Sequence, residues 1–550
     1  MQLSLFPATA DASPYYYLDH FRSALEWLRS NYADLLSATE RSFIGQFVTL
    51  PRASQALLTR LLMRKGARFR ASKVRYPEIG DIGAALRPLV ERQWIDLRPQ
   101  LTVEELVPLL RAEELQAAFP EVRSARSKAL KLSLLRARYR ERRAFEAWCP
   151  GVGDSVYALM VARLCTQLRL LFFGNFHQDW SEFVLVELGI AHYETVRLSR
   201  RSRPFASRAE VEGFFALYEC RQALEEAQSL TAALACLPRR RLRHEWLERR
   251  RSRLLFEIAR RHEAAGELAS ALTLYRRSGH SEARLRRVRV LETQQRLAAA
   301  HALACAALRR TRSAAEAQRL PRVVRRLERR LGLAHSVRSP RLQPTRLELC
   351  LAALPRGASV ERAAGESFAE PLAPVFYVEN RLINSLFGLL CWDAIYAPVR
   401  GAFFHAFQAA PMDLYVPQFM RRRRSIFDRC LSRLESGTYQ SVIKEHLRLK
   451  QALRSPFVSW GTVSEELVEL ALACIPASHL RRYFERLLLN LAENRSGLPD
   501  LVQFWVHERR YRLIEVKAPG DRLQDNQRRW IEYCVQQELP VAVCRIRWAA

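Results

Sequence analysis

Asp500, Glu515 and Lys517 have the types and spacing that metal-assisted phosphodiester hydrolysis needs. Breaking a phosphodiester calls for a hard cation that neutralises the phosphoryl oxygens and lowers the pKa of an attacking water. Two carboxylates, helped by a backbone carbonyl, suit Mg²⁺ or Mn²⁺, which take oxygen ligands and keep several waters. An ammonium group such as Lys517 can polarise the water or stabilise the developing negative charge. The chain's basic residues are overwhelmingly arginine, so a lysine here fits a need for a compact ammonium.

Two short strands must position these groups. Leu501-Val502-Gln503-Phe504-Trp505-Val506 is apolar and β-prone, and His507-Glu508-Arg509-Arg510 is polar enough to turn. Tyr511 to Lys517 then forms the partner strand, closed by Pro519-Gly520. Side chains i and i+2 share a face of a strand, so Glu515 and Lys517 point one way while Ile514 and Val516 point into the opposite layer. An ordinary surface hairpin also presents an acid-x-Lys triplet. Pro499-Asp500 before the first strand, the distance to the second, and Gln527-x-x-Trp530 on the following helix favour the chemical reading.

This segment resembles the PD-(D/E)xK nucleases, and more narrowly the VRR-NUC type. Upstream, the stretch from Val378-Glu379-Asn380-Arg381 to Trp392-Asp393 is similar to the helix that opens the nuclease module of the Fanconi-associated nuclease family, in a bacterial-type member. Gly497-Leu498-Pro499-Asp500-Leu501-Val502 and the run from Glu515 to Leu523 extend the likeness, with the blocks scattered over the last third of the chain. By that resemblance Glu379 is a further metal-binding acid beside Asp500 and Glu515, and the Val516 carbonyl completes the shell. Spacing alone does not choose it, since Asp393, Glu466, Glu485 and Glu493 are equally eligible acids. The reading gives Lys517 the activation of water and Gln527 the orientation of Lys517 or of a water on the metal.

Composition fits a polyanionic partner. A formal net charge of +31 and a pI near 10.4 concentrate DNA and steer its approach. An arginine-biased genome would explain the ratio of arginine to lysine, but not the excess of bases over acids. Met1 to Pro7 shows no basic stretch followed by a long apolar one, so no signal peptide is expected. Val156 to Phe176 is the most apolar segment, yet Arg163 and Arg169 interrupt it and predict a buried helix. The 11 cysteines sit singly without a Cys-x-x-Cys pair, which argues against zinc modules and disulfides and for a reducing compartment. Cys391 and Cys534, near the proposed site, read as packing. The expected location is cytoplasmic, with the nucleoid in a bacterium, or nuclear in a eukaryote.

The remainder reads as nearly strand-free amphipathic helices. In Leu101 to Leu115, Thr102 and Glu105 form a capping box and Leu106, Leu109 and Leu110 one helix face. That pattern is similar to the SAP fold, with Glu114 where a glycine is common. Ala259, Gly266, Leu268, Ala271 and Tyr275 occupy the small and aromatic positions of one tetratricopeptide-like helix pair, with degenerate helical neighbours. Arginine clusters (Arg239–Arg241, Arg249–Arg251, Arg309-Arg310, Arg325-Arg326, Arg329-Arg330 and Arg421–Arg424) read singly as solvated faces, and some of them should line a duplex path. Tyr15, Tyr16 and Tyr17 fit core packing better than stacking on a base. Ser336 to Arg346 reads as a linker.

The expected architecture is multidomain and mostly α. It comprises an N-terminal helical region (1–65), a SAP-like DNA-binding module (66–120), a helical linker region (121–235), a tetratricopeptide-like α-solenoid (236–345) and a C-terminal α/β nuclease domain (346–550). The expected activity is a structure-specific, metal-dependent DNA endonuclease. The resemblance implies 5′-flap cleavage in branched DNA with 5′-3′ exonuclease activity, and a role in interstrand crosslink repair. The alternatives are a Holliday-junction resolvase or other nuclease on the same fold, and a non-catalytic DNA-binding scaffold. A scaffold would be expected to carry a broken acid-x-Lys motif, and this one is whole.

Overall fold

The computed structural model describes residues 13–226, 229–334, 343–355 and 357–549. The segment Met1 to Pro7 and most of the expected linker, through residue 342, lie outside the described residues. The chain forms two compact units, Met1–Ala191 and His192–Ala550.

In the first unit, helices Tyr16–Asn31, Ala38–Val48, Arg52–Leu62 and Ile82–Glu91 bury Leu18, Phe21, Leu25, Phe47, Leu58 and Leu89. Ser37 caps its helix through a capping box with Glu40. The unit is not strand-free. Strands β1 (Arg68–Arg70), β2 (Ile95–Asp96) and β3 (Val156–Leu159) form an antiparallel sheet in the order β1-β3-β2. The segment expected as one buried helix therefore opens with a strand, and its helix runs only from Ala162 to Phe173. Asp154 drives this start, because its carboxylate accepts from Arg70 Nε at 2.7 Å and seats β3 beside β1. Tyr15 and Tyr17 are anchored by their hydroxyls to Glu78, as packing requires, and Arg60 stacks 3.9 Å from the Tyr17 ring.

The Thr102 N–H donates to Glu105 at 3.1 Å, and the short helices Val103–Leu106 and Ala112–Ala118 follow. Leu106, Leu110 and Leu115 share a core with Phe119, Leu135 and Trp148. Glu114 accepts from the Arg70 guanidinium at 2.6 and 2.7 Å, which accounts for an acid at that position.

The second unit begins with a helical series: Arg208–Glu225, Leu230–Cys236, Glu245–Ala264, Leu268–Arg277, Ala283–Thr293, Leu297–Arg309 and Ala314–Leu331. Each helix packs on its predecessor. Ala259, Ala271 and Tyr275 are buried between neighbours, and Gly266 turns the chain at φ +79°. Two of the clustered arginines are buried rather than solvated. Arg251 donates to the Pro238 and Arg239 carbonyls, and Arg423 holds Asp413 with two bonds of 2.8 and 2.9 Å.

A five-stranded sheet completes this unit. Its strands are β4 (Thr345–Leu351), β5 (Val375–Tyr377), β6 (Leu501–Trp505), β7 (Arg510–Lys517) and β8 (Val541–Trp548), in the order β4-β8-β7-β6-β5. Strands β4, β8 and β7 are mutually parallel, while β6 runs antiparallel to β7 and β5. The helix Asp525–Gln536 carries the chain from β7 to β8, the crossover that a parallel pair requires. One sheet face, with Val502, Phe504, Tyr511 and Leu513, packs on a large helical core that includes Leu382–Leu390 and Ala477–Leu489. The other, with Leu501, Ile514, Val516, Cys544 and Ile546, is covered by the helix Val360–Phe368.

Candidate active site

The β6–β7 register pairs Leu501 with Ile514, so Asp500, one residue earlier, comes up beside Glu515, one residue later. Alternation places Glu515 and Lys517 on the face shared with Tyr511 and Leu513, opposite Ile514 and Val516. Asp500 and Glu515 are both buried, Glu515 completely. The Val516 N–H donates to Asp500 Oδ2 at 2.9 Å, which locks the acid against the partner strand. Lys517 Nζ donates to Glu515 Oε1 and, at 2.9 Å, to the Val516 carbonyl.

Glu379 arrives from far upstream, and its backbone is fastened to the same point. The Asp500 carbonyl accepts from the N–H groups of Val378 at 2.8 Å and Glu379 at 3.1 Å. Asn380, at φ +57°, accepts from the Leu498 N–H at 2.9 Å through Oδ1. Gly497, at φ +94°, lets this segment run against the start of the Asp525–Gln536 helix. A Cβ there would lie 2.6 Å from the Asn526 carbonyl carbon and 2.8 Å from the Gln527 nitrogen. The Glu379 carboxylate accepts from the Tyr377 hydroxyl at 2.5 Å. Among the described residues no three His, Cys, Asp or Glu side chains are gathered closely enough to form a ready metal cluster.

Electrostatics mark the pair of acids. Burial pushes the Asp500 carboxyl up to about 6, against the opposing pull of the Val516 N–H and Lys517. Burial, then the nearby Asp500 charge, pushes Glu515 up to about 8. Burial, followed by the hydrogen bond to Glu379, holds the Tyr377 phenol well above its ordinary range, so it stays a donor. Crowded carboxylates that resist ionising are what a cation relieves. Glu515 Oε2 is buried with no hydrogen-bond partner, and Lys517 already places a positive charge between Glu515 Oε1 and the Val516 carbonyl. An orphaned carboxylate oxygen in an all-oxygen setting fits a hard divalent cation.

Gln527 sits elsewhere in its local network. Its Oε1 accepts from the Gln524 N–H at 2.8 Å, closing the first turn of its helix, and no hydrogen bond joins it to Lys517 among the described residues. Asp393, Glu466 and Glu485 lie exposed on helical surfaces, while Glu493 accepts from the Ala315 N–H at 3.3 Å. Cys391 and Cys534 are buried among apolar side chains, as packing residues are. Two groups near the acids escaped the sequence reading. Tyr377 lies two residues before Glu379. Glu361, at the start of the Val360–Phe368 helix, is near enough to raise the Asp500 carboxyl. A Ser359-x-Glu361 helix start carries no chemical signature, so no spacing rule would have found it.

A mixed sheet with a buried acid just before β6 and, on the adjacent β7, a buried acid and a half-buried lysine has the form of a PD-(D/E)xK nuclease core. Residues 434–548 match the family described as the VRR-NUC domain, and residues 15–96 match the FAN1 HTH domain. The Fanconi-associated nuclease 1 homolog of Pseudomonas aeruginosa is 48% identical over 97% of this chain and 96% of its own length. The homolog of Oryza sativa is 24% identical over 96% of this chain and 62% of its own. A crystal structure of paFAN1 bound to 2nt 5′flap DNA with gap superposes with a TM-score of 0.93 at 48% identity, covering 98% of this chain and 100% of that one. The chain belongs to the Fanconi-associated nuclease family, and is a DNA-cleaving hydrolase. Among the described residues no helix is long and apolar enough to cross a membrane.

Proposed function

We propose that this protein incises one strand of branched DNA at 5′ flaps, with 5′-3′ exonuclease action, in the repair of interstrand crosslinks. The observation that carries the reaction is the convergence of Asp500, Glu515, the Val516 carbonyl and Lys517, with both acids reluctant to ionise and one carboxylate oxygen unpartnered. Support for the substrate is the near full-length likeness to a relative crystallised on 5′-flap DNA with gap. Glu379, Asp500, Glu515 and the Val516 carbonyl would hold Mg²⁺ or Mn²⁺. Such an ion, when bound, supplies charge neutralisation at the phosphoryl oxygens and lowers the pKa of water.

The chain's own groups do the rest. Lys517 donates a hydrogen bond from its ammonium to the attacking water or to the developing oxyanion, and the burial of Glu515 and Asp500 strengthens every charge interaction there. In-line attack of water on the phosphorus breaks the P–O3′ bond, leaving a 5′ phosphate on one product and a protonated 3′ hydroxyl on the other. Gln527 closes the first turn of the neighbouring helix by accepting from the Gln524 N–H, and from there it would orient a water at the site. Residues 346–550 serve as the nuclease domain, 236–345 as a tetratricopeptide-like helical domain, 121–235 as a helical linker, 66–120 as a SAP-like module and 1–65 as the N-terminal helical region. The helical domains read junction shape and backbone charge rather than bases. In a bacterium the enzyme would act in the cytoplasm at the nucleoid.

The test is cleavage of a labelled 5′-flap duplex with Mn²⁺, with Mg²⁺ and with chelator, by wild type and Asp500→Ala. Metal-dependent incision near the junction that disappears in the variant, while DNA binding survives, is expected. Tight binding without incision of any branched DNA would leave a scaffold.

A further inference from the structure

Tyr377 and Glu379 form a pair for which the sequence offers no motif. Tyr377 ends β5, where it pairs with Leu501, the residue after Asp500. Its hydroxyl donates to Glu379 Oε2 at 2.5 Å. The Glu379 main chain is already fixed by the Asp500 carbonyl, and the following Asn380 by Leu498, so the carboxylate's remaining freedom is rotation about its own side-chain bonds. The phenol removes that freedom. It also engages one carboxylate oxygen, Oε2, while among the described residues Oε1 accepts no hydrogen bond and is open to a cation. A flexible glutamate at the rim of a metal site loses side-chain entropy on binding, and a prior hydrogen bond to the distant oxygen lowers that loss.

We propose that Tyr377 is a positioning residue for the divalent cation, acting through Glu379 by holding that carboxylate for coordination through a single oxygen. The proposal rests on the metal-dependent reading of the site. It extends the cation's support beyond the acid-x-Lys strand to the edge strand β5, whose pairing with β6 sets the height of the phenol relative to Asp500. Ligand-orienting partners of this kind are worth roughly 10- to 100-fold in metal affinity.

The experiment is Mn²⁺ titration of the DNA-free protein by calorimetry, with wild type, Tyr377→Phe, Glu379→Gln and the double variant. Phenylalanine keeps the ring and removes only the donor. The expected result is Mn²⁺ affinity weakened about 10-fold in Tyr377→Phe, with no further loss when the same change is made on Glu379→Gln. Cleavage should be restored in Tyr377→Phe by raising Mn²⁺, which a folding defect would not allow. Three results would overturn the proposal: unchanged affinity in Tyr377→Phe, tighter binding, which would mean the phenol parks the carboxylate away from the ion, or an equal loss in the Glu379→Gln background. Absence of Mn²⁺ binding by the wild type itself would sink the metal-dependent reading and this proposal together.

Discussion

Replacing Asp500 by asparagine should make the metal-free protein more stable at alkaline pH while it abolishes cutting. The carboxyl protonates near about 6 in the folded chain, against an ordinary value of 3.8. At about 1.4 kcal/mol per pH unit, that gap corresponds to about 3 kcal/mol between the folded and unfolded chains. The folded state binds the proton more tightly, so its contribution is fully present below about pH 4 and is lost as pH rises through about 6. At pH 8 the wild type therefore holds a buried negative charge that the Val516 N–H and Lys517 offset only in part, and that charge also raises Glu515. Asparagine cannot ionise and can still accept from the Val516 N–H, so the variant should gain roughly 2–3 kcal/mol at pH 8 and almost nothing at pH 4. Thermal melts in chelator across that range, wild type against variant, measure the difference. Added Mn²⁺ should then raise the wild-type transition more than the variant's. A variant that melts below the wild type at pH 8, or a gap independent of pH, would refute the account of these two acids.

Two further substitutions probe the scaffold. Gly497→Ala forces a Cβ to 2.6 Å from the Asn526 backbone at a left-handed φ, so cleavage should fall at least tenfold with a stability loss of about 2 kcal/mol; unchanged turnover would show that the helix start can shift freely. Arg423→Ala removes both hydrogen bonds to the buried Asp413 carboxylate, leaving it only the 3.6 Å ion pair with Arg422, and should cost about 3 kcal/mol in denaturant unfolding. Its exposed neighbour Arg424, changed to alanine, should stay within about 0.5 kcal/mol of wild type. Similar losses for both would mean the guanidinium–carboxylate pair is not what holds that loop.

The part of the site legible in the sequence is the part that lies close together along the chain. Asp500, Glu515 and Lys517 fall on one hairpin, where period-two alternation alone says which side chains share a face, and the observed register agrees. Glu379 was reachable only through family likeness, because its approach depends on the β5–β6 pairing and on main-chain bonds to Asp500. Gln527 was placed on the correct helix, but its nearest competitor for hydrogen bonding, the Gln524 N–H, is a local partner that periodicity does not weigh. Strands β1 to β3 are too short to show alternation, and their pairing joins residues far apart in sequence. The run Arg421–Arg424 looks uniformly solvated until Asp413 is seen to draw Arg423 inward. Strand β4 has no counterpart in the sequence reading, and its first residues, Thr345 and Arg346, fall inside the segment read as linker.

The ladder that joins β5 to β6 has a consequence for how such enzymes can vary. Everything from Val378 to Asp500, including most of the helical core on that face of the sheet but not the helix Asp525–Gln536, is topologically the loop of one enormous hairpin closed by Tyr377 and Leu501. Closure entropy grows only as the logarithm of loop length. Helices can thus be added, lost or reshaped inside that loop at little cost to the register at its neck. Glu379 and Asp500 lie at the neck and Glu515 on the strand beside it, so the surface of the loop can be refitted while these acids keep their register.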